Sequence, residues 1–209
     1  MTEAVLLDAL GTMVELEPPW VHLTATLDDG ADPAAVREAF LVEMAYYREH
    51  SHEGRDAGSL AELRERCAAL LSRELGRPVD VATMMSAIRF RAYPDAAPAL
   101  SALRELGLRT VCVSNWDCSL PEVLERCGLA VGLDGVVVSA VQGTPKPDPA
   151  IFRAALRISG SSEDRTLHVG DGDEDVAGAR AAGIRALRIG RGGGGQIASL
   201  AEIVEHLDP

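Results

Sequence analysis

The second half of this chain alternates short apolar runs with helical segments, and this alternation constrains the fold more than any other feature of the sequence. It predicts strands at residues 110–113, 135–139, 166–169 and 184–189, with helices between them. An earlier apolar run at residues 4–7 ends in a glycine-containing loop, as a buried strand does. Because parallel strands need crossover helices, we predict the fold class to be α/β, with a doubly wound, Rossmann-like parallel sheet.

Residues 16–91 depart from this alternation, because they show helical periodicity and no clear strand run. Helices are predicted from residue 33 through about residue 47, at 60–75 and at about 81–91. We therefore expect a core domain of residues 1–15 and 92–209, with an inserted all-helical unit at 16–91. The glycine-rich residues 191–195 are interpreted as a flexible loop before a last helix at 197–207.

Composition limits the classes of partner. The net charge of −12 argues against a nucleic-acid-binding face, which needs clustered basic residues. No apolar run approaches the roughly 20 residues of a membrane span, and no signal-peptide pattern is present. The four cysteines match no zinc or redox spacing. We expect a cytoplasmic protein that is a monomer or homodimer and binds neither nucleic acid nor membrane.

Lysine occurs once, at Lys146, among the 20 basic residues. The other 19 are arginines, so a position that retains lysine is expected to need a compact ammonium instead of a planar guanidinium. The flanking Pro145 and Pro147 stiffen the segment that carries it. Chance survival in an arginine-rich composition is the alternative explanation.

Polar residues follow several of the predicted strands. Asp8 comes after the first, Ser114 and Asn115 after the next, and Asp171 with Asp175 after a later one. Ligands of open α/β sheets bind outside the carboxyl ends of the strands, so these side chains are expected to converge. Taken singly, they could be a turn residue, a helix cap and a solvated acidic loop.

The series Asp8-x-x-x-Thr12, Ser114-Asn115, Lys146-Pro-Asp-Pro and Gly170-Asp171-x-x-x-Asp175 resembles the haloacid dehalogenase-like (HAD) superfamily over the whole chain. The helical insert resembles that superfamily's C1-type cap. The resemblance implies that Asp8 is a nucleophile that forms an aspartyl intermediate and that Lys146 neutralises charge. It also implies substrate binding by four residues: Thr12, Ser114, Asn115 and Trp116. The implied Mg²⁺ ligands are Asp8, the Leu10 carbonyl, Asp171 and Asp175, and Asp173 or Glu174 would contribute through water.

Leu10 departs from the family's phosphatase pattern, in which an aspartate two residues after the nucleophile transfers protons. Three interpretations follow: a Mg²⁺-dependent phosphoryl hydrolase, a 2-haloacid dehalogenase, whose halide leaves without protonation, or a pseudoenzyme that binds an anionic metabolite. The acidic Gly-Asp-x-x-x-Asp motif favours the first, since the dehalogenases lack it and work without metal. The expected substrate is a small anion, either a phosphate ester or a halocarboxylate.

Several residues of the insert could contact substrate. Arg37, Arg48 and Arg55 are available cations, and His50 or His52 could supply the missing acid. We favour the interpretation that the histidines lie at a helix C-terminus and in a solvated loop. His168 lies on a predicted core strand and is interpreted as a hydrogen-bonded buried histidine. A phosphonate hydrolase would need a lysine in the cap, and the insert has none.

Overall fold

The computed structural model describes residues 1–27 and 30–208 of the chain. Its strands, in chain order, are β1 (Ala4–Leu7), β2 (Val14–Leu16), β3 (Phe90–Ala92), β4 (Arg109–Ser114), β5 (Gly135–Val138), β6 (Thr166–Gly170) and β7 (Arg185–Arg188). Five of them form a parallel sheet in the order β5-β4-β1-β6-β7, and β2 pairs with β3 separately. The predicted doubly wound α/β fold is confirmed.

The α-helices, in chain order, are α1 (Pro19–Leu27), α2 (Pro33–His50), α3 (Ala57–Leu75), α4 (Val81–Ala87), α5 (Ala96–Glu105), α6 (Leu120–Arg126), α7 (Ser139–Gln142), α8 (Pro149–Ser159) and α9 (Asp173–Ala181). Helices α8 and α9 pack on one face of the sheet. Helices α5 and α6, with a C-terminal 3₁₀ segment, pack on the other. Because both faces are covered, β1 is buried along its whole length, which explains its unbroken apolar sequence.

Helices α1 to α4, called below the α1–α4 segment, have a hydrophobic core of their own around Phe40, Leu63 and Met84. Aspartates begin three of the four helices: the Asp32, Asp56 and Asp80 carboxylates accept hydrogen bonds from backbone amides in the first turns of α2, α3 and α4. The segment therefore folds around local signals that the sequence displays clearly.

The prediction that residues 16–91 are entirely helical is wrong at its edges. Helix α4 ends at Ala87, and Phe90–Ala92 forms a strand that pairs antiparallel with Val14–Leu16. Each strand has only three residues and draws its stability from a distant partner, so neither shows a periodic signal of its own. The predicted domain boundaries fall within this two-stranded sheet; the division into domains stays a prediction.

The C-terminal prediction also needs correction. Residues 197–207 do not form an α-helix; a 3₁₀ helix covers Leu200–His206, with Ser199 capping its first turn. The glycine-rich loop before it is anchored by Arg191, whose guanidinium lies 4.0 Å from the centre of the Tyr93 ring. Within the described ranges, no helix combines the length and apolar character needed to cross a lipid bilayer.

Candidate active site

The carboxyl ends of three parallel strands bring the predicted polar residues together. Asp8 follows β1, Ser114 ends β4, and Asp175 lies on α9 just after β6. The Ser114 hydroxyl donates a hydrogen bond to Asp8 Oδ1 over 2.9 Å. All three side chains are buried, so a polar cluster lies at the carboxyl ends of the three central strands.

The Lys146 ammonium bridges two of these acids. Its Nζ lies 2.6 Å from Asp8 Oδ1 and 2.6 Å from Asp175 Oδ1, and its side chain is almost inaccessible to water. Burial disfavours the ammonium, but the negative charges of the two aspartates outweigh this effect and raise the pKa of Lys146. Lys146 is therefore a permanently charged group inside the site.

The two acids bound to Lys146 differ in their ionisation. Burial raises the pKa of Asp8, and the nearby charge of Lys146 offsets this only in part. Burial also disfavours ionised Asp175, but hydrogen bonds from His168 and Lys146 outweigh it and lower the pKa of that carboxyl. His168 Nε2 lies 3.0 Å from Asp175 Oδ1, and the Gly172 amide donates to Asp175 Oδ2. Asp175 is thus the firmly ionised member of the cluster.

Three carboxylates of the site could hold a cation. One oxygen each from Asp8, Asp171 and Asp175 lie within 4.8 Å of one another. Burial, together with the charges of Asp8 and Asp175, raises the pKa of Asp171 to about 6. Lys146 supplies one positive charge against three carboxylates, so an additional cation would relieve the repulsion among them. The oxygen-only donor set fits a hard divalent ion such as Mg²⁺.

Glycines permit the close approach of these carboxylates. A Cβ placed on Gly11 would lie 2.1 Å from Asp171 Oδ2, and one on Gly170 would lie 2.2 Å from Asp175 Cγ. Gly11 also has a positive φ of 81°. Any side chain at these positions would displace an acid of the cluster, which explains why both loops carry glycine there.

Asn115 holds the lysine loop against β4. Its side-chain oxygen accepts a hydrogen bond from the Lys146 amide over 2.7 Å, and its side-chain nitrogen donates to the Lys146 carbonyl over 3.1 Å. This two-point contact fixes the backbone that carries the ammonium.

Trp116 is buried and packs against Phe90, with ring centroids 5.0 Å apart. It also lines the adjacent cleft.

A cleft of about 580 Å³ separates the carboxyl ends of the strands from the α1–α4 segment. The acids and Lys146 line its floor. Its opposite wall comes mainly from α2, α3 and α4 and is largely apolar, with Phe40, Met44, Met84, Met85 and Ile88. The cleft is large enough for a small organic molecule whose anionic end reaches the lysine.

The family of the chain follows from a comparison with known sequences. A sequence profile described as "haloacid dehalogenase-like hydrolase" matches residues 2–183. This chain belongs to the haloacid dehalogenase-like hydrolase family. The predicted resemblance is confirmed, and the match includes the three aspartates and Lys146 of the cluster.

Known members of the HAD family resemble this chain to different extents. A phosphoglycolate phosphatase of Rhodospirillum rubrum is 33% identical over 88% of this chain and 78% of its own length. A phosphoserine phosphatase of Thermus thermophilus is 39% identical over 50% of this chain and 43% of its own length. Three of the curated relatives match over only 38% to 44% of their length.

A solved structure shares the fold of this HAD-family chain. The L-2-haloacid dehalogenase of Xanthobacter autotrophicus with covalently bound chloropropionic acid is 25% identical, with a TM-score of 0.68. The match covers 100% of this chain and 85% of that one. The likeness supports the α/β fold with its inserted helices.

Most of the predicted site residues lie together in this HAD-family protein. Asp8, Leu10, Ser114, Asn115, Trp116, Lys146, Asp171 and Asp175 all border the cleft. Glu174 borders it too, whereas Asp173 lies outside and pairs with Arg188 at 2.7 Å. Thr12 is fully buried away from the cleft, and its hydroxyl has no hydrogen-bond partner among the described residues.

The candidate residues of the α1–α4 segment lie in different places. Arg48 borders the cleft, but Arg37 and Arg55 do not. His50 Nδ1 donates to the Tyr46 carbonyl over 2.8 Å at the end of α2, and neither His50 nor His52 borders the cleft. His168 is buried as predicted. Its Nε2 contacts Asp175, but its Nδ1 has no hydrogen-bond partner within the described part of the chain.

The sequence analysis did not single out several polar residues of the cleft. Glu43, Tyr47, Arg64 and Asp117 line the wall opposite the acids or join the two sides. The Tyr47 hydroxyl donates a 2.6 Å hydrogen bond to Asp117 Oδ2. The helical spacing of Phe40, Glu43 and Tyr47 places them on one face of α2, so the position of Glu43 on an apolar stripe could have identified it.

Proposed function

We propose that this protein is a Mg²⁺-dependent phosphoryl hydrolase that forms an aspartyl intermediate on Asp8. The observation that carries the proposal is the position of the Lys146 ammonium between Asp8 and Asp175, with Asp171 close enough to complete a cation site. The phosphatase names of two relatives support it. The proposed substrate is a small phosphate ester, and the α1–α4 segment is the proposed cap.

In this mechanism an Asp8 oxygen attacks phosphorus, and the bond from phosphorus to the leaving-group oxygen breaks. The Lys146 ammonium offsets repulsion between the Asp8 carboxylate and the anionic phosphoryl group. Ser114 and the backbone amide of Asn115 donate hydrogen bonds to the phosphoryl oxygens. Asp8, Asp171, Asp175 and the Leu10 carbonyl would hold Mg²⁺, which would supply further positive charge at the reaction centre.

Leu10 lines the cleft where the family's phosphatases carry an acid, and its side chain cannot transfer a proton. General acid–base catalysis contributes about 10²–10⁴-fold to rates. The protein is therefore expected to hydrolyse esters with good leaving groups, such as aryl phosphates, faster than alkyl phosphates. Water then attacks the aspartyl phosphate and releases inorganic phosphate and free Asp8.

The test is phosphate release with Mg²⁺ from an aryl phosphate and from alkyl phosphates, including the esters named for the relatives. Asp8→Asn is the blank, because it keeps the side-chain size and removes the nucleophilic oxygen. Aryl turnover that Asp8→Asn abolishes would support the proposal. Undiminished activity in that variant would contradict it.

Dehalogenation is the second candidate, and Leu10 is the observation that favours it, since a halide leaves without protonation. The same assay includes a short 2-chlorocarboxylate, with chloride release as the readout. Chloride release without phosphate release would replace the phosphatase proposal. Binding of anions without either product would point to a pseudoenzyme.

A further inference from the structure

Glu43 is a buried ionisable residue of the cleft that the proposed mechanism does not use. It is 3% exposed and borders the same cavity as Asp8 and Lys146, on the opposite wall. It lies on the face of α2 that also presents Phe40, Met44 and Tyr47. The carboxylate therefore interrupts an otherwise apolar stripe, where an aliphatic side chain would pack at lower cost.

The carboxylate of Glu43 has no cationic partner. Throughout residues 1–27 and 30–208, no lysine, arginine or histidine nitrogen lies within 4.0 Å of it. Burial raises its pKa, and the neighbouring Cys67 thiol offsets this only in part. A buried carboxylate without a partner raises the free energy of the folded protein. A ligand that supplies a positive or hydrogen-bond-donating group would remove this penalty.

We propose that Glu43 binds an amino group on the substrate, so that the preferred substrate is a phosphate ester whose alcohol part is short, apolar and ends in an ammonium. This inference rests on the proposed phosphoryl hydrolase function and specifies its substrate class. The phosphoryl group lies at Lys146, the carbon chain contacts Met44 and Met84, and the ammonium pairs with Glu43. Glu43 is thus a specificity-determining residue.

The charges around the cleft favour an amine over a second anion at this wall. The protein carries a net charge of −12, and the side chain that lowers the pKa of Glu43 against burial is the Cys67 thiol, not an arginine. Arg64 and Arg48 also border the cavity, but among the described residues neither forms an ion pair with Glu43. A hydrogen-bonded ammonium–carboxylate pair in a desolvated pocket gives strong discrimination against the analogue without the amine.

Binding of phosphonates, which are not hydrolysed, tests the inference independently of turnover. Calorimetry with Mg²⁺ would compare alkylphosphonates, from ethyl to pentyl, with their ω-amino counterparts. At one chain length we expect the amino compound to bind the wild-type protein at least about tenfold more tightly. Glu43→Gln should remove this preference, whereas Glu49→Gln, an exposed change on the same helix, should retain it.

A stability measurement separates recognition from a structural role. If Glu43 serves ligand binding at the expense of packing, Glu43→Gln and Glu43→Met should unfold at equal or higher urea concentration than the wild-type protein. A preference for amines that survives Glu43→Gln would overturn the inference, as would its absence at every chain length. Aryl phosphate turnover by the wild-type protein, measured in parallel, reports separately on the proposed hydrolase function.

Discussion

The Lys146 ammonium lies 2.6 Å from Asp8 Oδ1 in the protein interior, although 138 residues separate the two along the chain. The same nitrogen lies 2.6 Å from Asp175 Oδ1. A single point charge therefore serves two carboxylates at hydrogen-bond distance. This arrangement gives a physical reason for the one lysine in an arginine-rich protein, because a compact ammonium can contact both acids through one nitrogen, whereas a guanidinium spreads its donors over a planar fork.

Lys146→Arg is expected to lower kcat for an aryl phosphate by at least about 10²-fold. The planar fork cannot place one donor against both aspartates, so one buried acid loses its partner. Steady-state kinetics with Mg²⁺ checks this, with circular dichroism to establish that the variant is folded. Activity within a few fold of wild type would show that any cation suffices at this position.

Leu10→Asp should increase alkyl phosphate turnover by about 10²-fold or more, because it restores a group that can protonate the leaving oxygen. The side chain of Leu10 is 39% exposed and borders the cleft, so the substitution introduces no buried charge. Leu10→Asn is the matched control, since it has the same shape and transfers no proton. An equal gain in both variants would contradict an acid–base explanation.

Mg²⁺ should stabilise the protein more at about pH 7.5 than at about pH 5. Burial and neighbouring charges raise the pKa of Asp171 from 3.8 to about 6. The folded state thus holds this proton more tightly than the unfolded chain, so stability falls as the pH rises from about 4 to 6. Mg²⁺ bound at the proposed site would favour the ionised carboxylates and offset that loss.

Thermal unfolding with and without Mg²⁺ across this pH range measures the effect. Asp171→Asn removes the titrating group and should flatten the pH dependence of the Mg²⁺-induced shift. A shift of equal size at both pH values in the wild-type protein would show that Asp171 does not take part in cation binding.

Tyr47→Phe should lower the free energy of unfolding by about 1–3 kcal/mol. The Tyr47 hydroxyl joins α2 to the buried Asp117 carboxylate, and burial together with Asp117 raises the pKa of the tyrosine, so it stays a donor. Urea denaturation gives the value. Tyr46→Phe is the control, because the Tyr46 ring stacks on His50 and its hydroxyl bonds no described residue. Equal losses in the two variants would show that the effect does not come from the Tyr47–Asp117 hydrogen bond.

Arg191→Ala should reduce both stability and kcat. Its guanidinium pairs with Asp95 at 2.6 Å, covers the Tyr93 ring and donates to the Thr12 carbonyl in the loop after β1. Loss of these contacts is expected to cost about 1–3 kcal/mol in unfolding free energy and to loosen the loop that carries Asp8. Arg157→Ala, an exposed change on α8, should leave both quantities within error.

The sequence by itself determined the alternation of strands and helices, the helical character of most of residues 16–91 and the acids at the strand ends. Those features arise from local periodicity, capping aspartates and the rule that parallel strands end on one side of a sheet. The four motifs carried the family resemblance because each lies in one short stretch of chain.

Only the tertiary structure decided which residues complete the site. Two of its contacts join residues far apart in sequence: the β2–β3 pairing and the Tyr47–Asp117 hydrogen bond. A third, between His168 and Asp175, joins residues on either side of a turn. Thr12 is buried in the interior, and Glu43 borders the cleft because packing of α2 against α1 and α3 sets which face of that helix is covered. Such contacts depend on three-dimensional distance, which periodicity along one element cannot encode.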